Sequence, residues 1–419
     1  MGLKRILVLA VIGFCMFFCG CAGEEQEKVE ITFIHGWGST EKDHIAMRKI
    51  YMDFEKENPE IKLNMISMPS SKEVLSKVGD LLTVGEVPDI IFTAGEGKET
   101  VYGFMAEKGY ALDLMPILKS DKELEESISL NAMEHWITED NRLYTVSDVL
   151  LLSGGYWYNK ELFRQAGIEK PSLEREQWIQ DCEKIYEYSF NNKRNIQPML
   201  LDSNHVIYLM DAILADEYPA ILAKKGKKEI NLLSPGFQKT LNRLISLSKI
   251  ADVVNSFNYR DTLASFNAGE TAMYVNGVWA SSMIDEKLDI GYMPFPTEDG
   301  KGVSAVSTGV GYILGNTGDE KKMQASVEFL KYMLSQSVAK RILTETGQIP
   351  SNPQVEITEE LAGSRLYQAV ESLQGAETII EVPTNIWGSN RQEEYGDSII
   401  MYLDERVTFE ELQRRMGAE

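Results

Sequence analysis

The side chains best suited to bind a small molecule are tryptophans and short polar residues that stand just after predicted strands. Trp37 lies in a glycine-flanked loop, His35-Gly36-Trp37-Gly38. Trp279 follows the turn Asn276-Gly277, and Asp202-Ser203-Asn204-His205 follows another strand. Flat rings cover apolar surfaces, and short polar groups donate or accept hydrogen bonds. This combination would suit a ring with apolar C–H faces and a rim of hydroxyls.

Several of these residues also have a structural explanation. Trp37, between two glycines, is hard to place in a core, and we expect it to contact ligand, whereas His35 could equally well support the turn. Asp202 and the residues after it could cap the next helix, contact ligand, or do both. Strand alternation turns one of Tyr156 and Trp157 inward, but the sequence does not decide which of them faces a cleft.

Strands and helices alternate through the first third of the chain. A helix over Lys42–Glu57 ends at Asn58-Pro59, because a residue before proline avoids the helical region. Such alternation predicts an α/β lobe with a parallel sheet. The predicted strands are Val29–Phe33, Ile61–Ile66 and Ile90–Phe92, and a second helix runs from Ser70-Ser71 to Val84.

The rest of the chain continues this pattern with more irregularity, and no long linker separates two domains, so two lobes would have to be intertwined. Further strands are predicted at Leu143–Val146, Gly155–Tyr158, Met199–Leu201, Ala272–Val275, Ile290–Met293 and Val310–Leu314. Further helices are predicted at Glu174–Tyr188, Val206–Ala215 and Phe237–Ala251.

The first 20 residues predict export. Lys4 and Arg5 precede the apolar run Ile6–Phe18, which is shorter than the roughly 20 residues of a membrane-spanning helix. Gly20-Cys21 resembles a bacterial lipobox, although Phe18 replaces the usual leucine. We therefore predict a signal peptide over residues 1–20, lipidation (palmitate) at Cys21 and a polar tether over residues 21–28. The alternative is an uncleaved anchor with incidental cysteines.

Charge and cysteine content narrow the class of protein. The 419 residues carry a net charge of -22, which disfavours nucleic acid as a partner. Of the four cysteines, three lie at or before Cys21, so no disulfide framework is expected. Cys182 lies in a helical apolar pattern and is predicted to pack in a core.

Ordered segments across nearly the whole chain resemble the extracellular solute-binding proteins of ABC sugar importers, the group that includes maltose-binding protein. The strongest match is Phe266–Met273 followed by Val275-Asn276-Gly277-Val278-Trp279. The other matching segments, in order, are Phe54–Ile61, Val87–Ile90, Tyr158–Phe163 with Ala166–Ile168, Lys170-Pro171 with Glu176–Trp178, Pro294–Pro296, Glu328–Tyr332 and Thr346–Pro350.

The resemblance implies a two-lobe periplasmic-binding-protein-like fold of class II, with crossing hinge strands and a ligand cleft between the lobes. By analogy, lobe one comprises residues 29–144 and 305–350, and lobe two comprises residues 145–304 and 351–419. It also implies a monomer that delivers a mono- or oligosaccharide to ABC permease subunits. With the lipid anchor, this places the protein on the extracytoplasmic face of the cell membrane, and we expect a Gram-positive bacterium.

The resemblance also assigns roles to individual residues. Trp279 stands where the family carries a sugar-stacking tryptophan, although a core position is the alternative. Glu96 follows the third strand, where a family carboxylate accepts hydrogen bonds from sugar hydroxyls. Thr93 replaces a family tryptophan, so sugar specificity need not carry over. Trp387 lies near another stacking aromatic, and Asp148 could reach the cleft near the crossover.

The sequence favours a binding protein over an enzyme. It contains no nucleophile elbow, no Walker loop and no metal-type spacing of its four histidines. No cofactor and no metal are expected. The alternatives are the same fold with a polyol phosphate, a peptide or a metal chelate as ligand, a secreted glycoside-active enzyme, and a surface adhesin or sensor. Phosphate would call for arginine or lysine in the cleft loops, which here carry aromatic and acidic residues.

Overall fold

The computed structural model of the chain describes residues 28–94, 101–133, 136–218, 222, 234–248, 259–308, 310–387 and 389–416. Its twelve strands are β1 (Val29–His35), β2 (Ile61–Ser67), β3 (Ile90–Ala94), β4 (Val149–Ser153), β5 (Gly155–Asn159), β6 (Gln197–Leu200), β7 (Thr271–Val275), β8 (Ile290–Pro294), β9 (Val303–Ser307), β10 (Val310–Leu314), β11 (Ile349–Pro350) and β12 (Thr378–Ile380).

Helices flank these strands. They are α1 (Lys42–Glu57), α2 (Ser71–Thr83), α3 (Val101–Lys108), α4 (Met115–Ser120), α5 (Lys122–Glu126), α6 (Leu130–Met133), α7 (Lys160–Gln165), α8 (Arg175–Asn191), α9 (Val206–Glu217), α10 (Pro235–Ser248), α11 (Tyr259–Asn267), α12 (Glu320–Leu334), α13 (Gln336–Arg341), α14 (Glu359–Ala362), α15 (Ser364–Gln374), α16 (Pro383–Trp387), α17 (Ser389–Leu403) and α18 (Phe409–Arg415). Val278–Ser282 forms a short 3₁₀ helix, and Ile342–Thr346 forms a π-helical turn.

The first lobe is built on a four-stranded sheet in the order β10-β3-β1-β2. Strands β1, β2 and β3 are parallel, and β10 is antiparallel to β3. Helix α1 buries Met47, Ile50, Tyr51 and Phe54 against this sheet. Their spacing of three or four residues forms the apolar stripe of an amphipathic helix, which explains why this segment is helical.

The second lobe has a mixed sheet in the order β6-β7-β5-β8. Only β6 and β7 are parallel, since β5 runs antiparallel to both of its neighbours. Helices α8, α9, α10 and α17 enclose its larger apolar core, which includes Trp178 and Cys182. Cys182 is 2% exposed, as the sequence predicted.

A third sheet, β11-β4-β9-β12, joins the lobes. Strand β4 leads into the second lobe and β9 leads back to the first, and the two pair antiparallel. The lobes are therefore connected by hydrogen-bonded crossing strands, the arrangement that permits hinge closure around a ligand. The lobe boundaries given above stay a prediction.

Most predicted elements form within a few residues of their expected bounds, and α1 has the predicted bounds. The predicted strand Leu143–Val146 is wrong: its residues make only isolated bridges, from Leu143 to Ile137 and from Val146 to Tyr312. The crossing strand β9 was not predicted. Among the described residues, no helix has the length and apolarity to span a bilayer.

Candidate functional site

The carboxyl end of β1 presents Trp37. Its indole is half-buried, stacks on Phe92 at 5.9 Å between ring centroids and meets His44 edge-on at 4.9 Å. From α1, Arg48 donates hydrogen bonds to the carbonyls of Trp37 and Ser39. This guanidinium fixes the loop that carries the ring.

His35 is fully buried at the end of the same strand. Its Nδ1 accepts the Trp37 backbone N–H at 3.2 Å, so the proton sits on Nε2, which lies 3.1 Å from the Ser67 hydroxyl. Burial, together with Arg48 and His44, lowers the pKa of His35 to about 3. The ring is thus neutral, and its Nδ1 supports the Trp37 loop by accepting the backbone N–H of Trp37. Direct ligand contact by His35 stays a prediction, which this burial does not favour.

Trp279 lies in the 3₁₀ helix after β7 and is half-buried. Its ring covers the Cα of Gly277, where any Cβ would collide with the indole. The turn beneath it is held on both sides, because Trp157 Nε1 donates to the Gly277 carbonyl at 3.0 Å and Tyr292 donates to the Asn276 carbonyl at 2.9 Å. Trp157 therefore supports this turn from within the core.

The residues after β6 lie at the same sheet edge as Trp279, since β6 and β7 are parallel. Asp202 accepts the backbone N–H groups of Asn204 and His205, at 2.9 and 3.1 Å, and so orders the turn before α9. The predicted cap does not form, because α9 begins after His205 without a side-chain cap hydrogen bond. The imidazole of His205 is buried and lies 2.5 Å from Asp202. Ser203 contacts Asp397 of α17, and Asn204 is exposed.

Trp387 ends α16 and is half-buried on the second lobe's core. Its Nε1 donates to Asp211 Oδ1 at 2.9 Å, and its ring meets Tyr395 edge-on at 5.7 Å. Gln392 of α17 also donates to the Asn204 carbonyl at 3.3 Å. Helix α17 thus brings the surroundings of Trp387 and the loop after β6 together.

Tyr156 and Asp148 lie in the interior. Tyr156 is fully buried between Trp178 and Phe295, and Asp148 is 2% exposed and accepts a hydrogen bond from Tyr312 at 2.7 Å. Burial raises the pKa of Asp148 to about 7. Ligand contact by these two residues stays a prediction, which their packing does not favour. Glu96 and Cys21 lie outside the described residues.

An ion pair links the chain that follows Trp37 to the chain that follows Trp279. Lys42 starts α1 just after the Trp37 loop, and Glu286 follows the Trp279 segment. Their charged atoms, Lys42 Nζ and Glu286 Oε1, lie 3.9 Å apart. The start of α1 and the segment after the 3₁₀ helix therefore approach each other at this point.

Sequence reasoning missed a polar group at the start of α16. Glu381 follows β12 and accepts hydrogen bonds from Ser307 at 2.9 Å and from Asn385 at 2.6 Å. These residues lie where the crossing strands leave the second lobe. Asp211 was also missed, although a lone acid within the apolar run Val206–Ala215 is a signal that could have found it.

One cluster has residue types that suit a metal. Ligand atoms of Glu41, Asp43 and His44 lie within 4.8 Å of one another. However, Nδ1 of His44 accepts the Ser39 backbone N–H, so Nε2 carries the proton and offers no lone pair to an ion. The arrangement organises the start of α1.

Two α/β lobes joined by crossing strands, each with a half-buried tryptophan after a strand end, are typical of proteins that bind a ligand between lobes. The sequence matches the bacterial extracellular solute-binding proteins over residues 37–340, more than half of the chain, and the protein belongs to this family. The family that the sequence motifs predicted is confirmed.

Individual relatives agree with this assignment. A multiple sugar-binding protein of Streptococcus mutans is 24% identical over 353 residues, 79% of this chain and 78% of the relative. A maltooligosaccharide ABC transporter solute-binding lipoprotein of Streptococcus pneumoniae is 24% identical over 223 residues, 51% of this chain and 50% of the relative. A Streptococcus pneumoniae solute-binding protein, solved with the blood group A-trisaccharide, superposes with a TM-score of 0.77 at 24% identity, covering 93% of this chain and 98% of that chain.

Proposed function

We propose that this protein binds a neutral mono- or oligosaccharide between its lobes and delivers it to the permease of an ABC importer. The observation that carries the proposal is that Trp37 and Trp279 are half-buried after strand ends of two different sheets, with polar groups at the neighbouring strand ends. Aromatic faces stack on the C–H surfaces of a sugar, while hydroxyl, amide and carboxylate groups meet its rim. The names of the streptococcal relatives support a carbohydrate ligand.

Thermal unfolding against a glycan panel tests this function, because a ligand that binds only the native state raises its Tm. We expect one class of neutral sugar to raise Tm in proportion to the logarithm of its concentration. A panel in which no sugar acts, while a sugar phosphate, a peptide or a metal chelate raises Tm, would reject the carbohydrate ligand.

A tryptophan variant tests the site. Trp279→Ala should weaken binding of the sugar found in the panel by about 30-fold, equivalent to about 2 kcal/mol for a central aromatic contact. Phe190→Ala is the matched control, since Phe190 is an aromatic residue on α8 that is 75% exposed. Equal affinities for Trp279→Ala and the wild type would remove Trp279 from the site.

We also propose that Cys21 carries lipid and holds the protein at the outer face of the cell membrane. One acyl chain gives only marginal attachment, so a firm anchor requires more than one. The lipoprotein name of the pneumococcal relative supports this proposal. Cys21→Ala should abolish incorporation of labelled palmitate and move the protein from the membrane fraction to the medium. Retention of label by the variant would contradict the assignment.

A further inference from the structure

The second lobe buries a carboxyl group next to the indole nitrogen of Trp387. Asp211 lies on α9, where its apolar neighbours leave it with no solvent exposure. Its Oδ1 accepts the indole N–H of Trp387 at 2.9 Å. In the described part of the chain, no donor lies within hydrogen-bonding reach of its Oδ2. Among the described residues, the indole N–H of Trp387 is thus the hydrogen-bond donor to the Asp211 side chain.

A carboxylate is expensive to bury without a cation or several donors. Burial raises the pKa of Asp211 well above its usual range, and the hydrogen bond from Trp387 opposes this rise only in part. This burial favours the neutral acid over the carboxylate. Its carbonyl oxygen accepts from the indole, as an asparagine oxygen in the same place would.

The contacts of Trp387 leave part of its ring open. Asp211 holds the N–H edge, and Tyr395 meets the ring at an interplanar angle of 72°. The side chain is nevertheless only half-buried. An indole fixed at one edge and open elsewhere is pre-oriented, which spares a ligand the cost of ordering it.

We propose that Asp211 is a positioning residue, which fixes the orientation of Trp387 as a sugar platform through the hydrogen bond to its indole nitrogen. The inference rests on the proposed function, because Trp387 serves as a platform only for a ligand with an apolar ring face. A purely structural Asp211 would affect stability alone, whereas a positioning Asp211 affects affinity by way of Trp387.

Affinity is measured by calorimetry with the sugar that gives the largest Tm shift in the glycan panel. Asp211→Leu removes the acceptor and should weaken binding about tenfold, whereas Asp211→Asn keeps it and should bind within about twofold of the wild type. In a Trp387→Ala background, Asp211→Leu should change affinity by less than about twofold, because a residue that acts through another adds nothing once that residue is gone.

The matched control is Asp181→Leu. Asp181 is another buried helical carboxyl, on α8, but its partners are Lys184 and Gln177. This substitution should lower Tm without changing affinity. If Asp211→Leu does not fold, Asp211→Ala takes its place in every assay, since it removes the same acceptor without adding bulk.

A second readout needs no sugar. In protein labelled with ¹⁵N-tryptophan, the indole resonance missing from Trp387→Phe belongs to Trp387. Its N–H should exchange with solvent at least about tenfold faster in Asp211→Leu than in the wild type or Asp211→Asn, because the bond to Oδ1 is lost. Asp181→Leu should leave this rate unchanged.

Three outcomes would overturn the inference alone: wild-type affinity in Asp211→Leu, effects of Asp211→Leu and Trp387→Ala that add, or an unchanged indole exchange rate in Asp211→Leu. Absence of sugar binding by the wild type is a different result. It rejects the proposed function and removes the platform role with it, even if the exchange rates respond as expected.

Discussion

In each lobe an arginine from a helix donates to backbone carbonyls in or after the segment that carries a tryptophan, but the number of carbonyls differs. In the first lobe, Arg48 donates to two carbonyls of the Trp37 loop. In the second lobe, Arg365 of α15 donates to the carbonyls of Ile284, Asp285, Glu286 and Leu288, in the segment after Trp279.

The buried carboxyls of the two lobes differ in a similar way. Asp148 precedes the crossing strand β4 and accepts from the hydroxyl of Tyr312, which lies 3.2 Å from that of Tyr51, so its contacts lie in the core of the first lobe. Asp211 of the second lobe contacts Trp387, a candidate platform. The comparison teaches that one kind of group can serve stability on one side of a cleft and ligand geometry on the other.

The largest expected effect is the pH dependence caused by Asp148. Its pKa is about 7 in the folded protein and about 3.9 when unfolded, so the native state binds the extra proton. Its contribution to stability is complete below about pH 4 and is lost as pH rises to 7. Relative to Asp148→Asn, the wild type should lose on the order of 4 kcal/mol of unfolding free energy across that range.

Urea unfolding of both proteins at pH 4, 5.5 and 7 measures this difference. Both retain His35, whose lowered pKa acts with the opposite sign below about pH 6.5, so its contribution cancels in the comparison. Sugar affinity at pH 7 should be the same for both. Parallel stability profiles would contradict a protonated Asp148, and weaker sugar binding by Asp148→Asn would show that both lobes use their buried acid for the ligand.

The next largest effect is expected from Gly277→Ala. The backbone at Gly277 has φ -72°, which alanine adopts freely, but its Cβ would occupy the space of the Trp279 ring. Displacing the ring should weaken sugar binding by about 30-fold, as loss of the tryptophan would. Calorimetry measures this change.

The matched control for this substitution is Gly79→Ala. Gly79 lies within α2, and a Cβ there meets nothing within 4 Å. This variant should keep wild-type affinity and gain roughly 0.5–1 kcal/mol of stability from the helix. Unchanged affinity in Gly277→Ala would show that the position of Trp279 over the turn is not needed for binding.

A smaller effect is the difference in unfolding free energy lost when Arg365 or Arg48 is replaced. Arg365→Met should lower the free energy of unfolding by about 2 kcal/mol and Arg48→Met by about 1 kcal/mol, because charged hydrogen bonds to more carbonyls are lost in the first case. Denaturant unfolding at constant pH measures both, with Arg415→Met as the control, because Arg415 is exposed and its ion pair is with Glu411 on the same helix. The reverse order would contradict the more extensive support assigned to the second lobe.

The smallest effect is expected at the ion pair between Lys42 and Glu286. Lys42 and Glu286 are 85% and 91% exposed, and such ion pairs contribute little. Lys42→Ala should leave sugar affinity within about twofold of the wild type at both 0.05 and 0.5 M salt. A strong salt-dependent loss would mean that the pair helps to hold the lobes together.

The sequence predicted what depends on local pattern. The apolar stripe of α1 and the proline that follows it determine both ends of that helix, and the tryptophans after β1 and β7 lie where strand ends place them. Strand β9 escaped prediction because Val303–Ser307 is short and rich in serine and alanine, so its pairing with β4 comes from tertiary structure. Tyr156 and Trp157 illustrate a further limit: alternation predicted that one of them faces inward, but both faces of β5 are covered and both side chains are buried.

The candidate site was less predictable than the fold. Asp211 and Trp387 are separated by 176 residues, and no local pattern joins them. Glu381 and Asn385 form a polar group only together with Ser307, and Ser307 lies on a strand that was not predicted. Contacts between distant segments depend on how elements pack, and a single sequence records that packing only indirectly.

The burial of Cys182 has a practical consequence for spectroscopy. It is the free cysteine of the described residues, and burial raises its pKa, so it carries almost no reactive thiolate at pH 7. Maleimide dyes would therefore react with cysteines introduced by Lys42→Cys and Glu286→Cys, one on each side of the ion pair, and hardly at all with Cys182. Energy transfer between them would turn the protein into a reporter of its own closure.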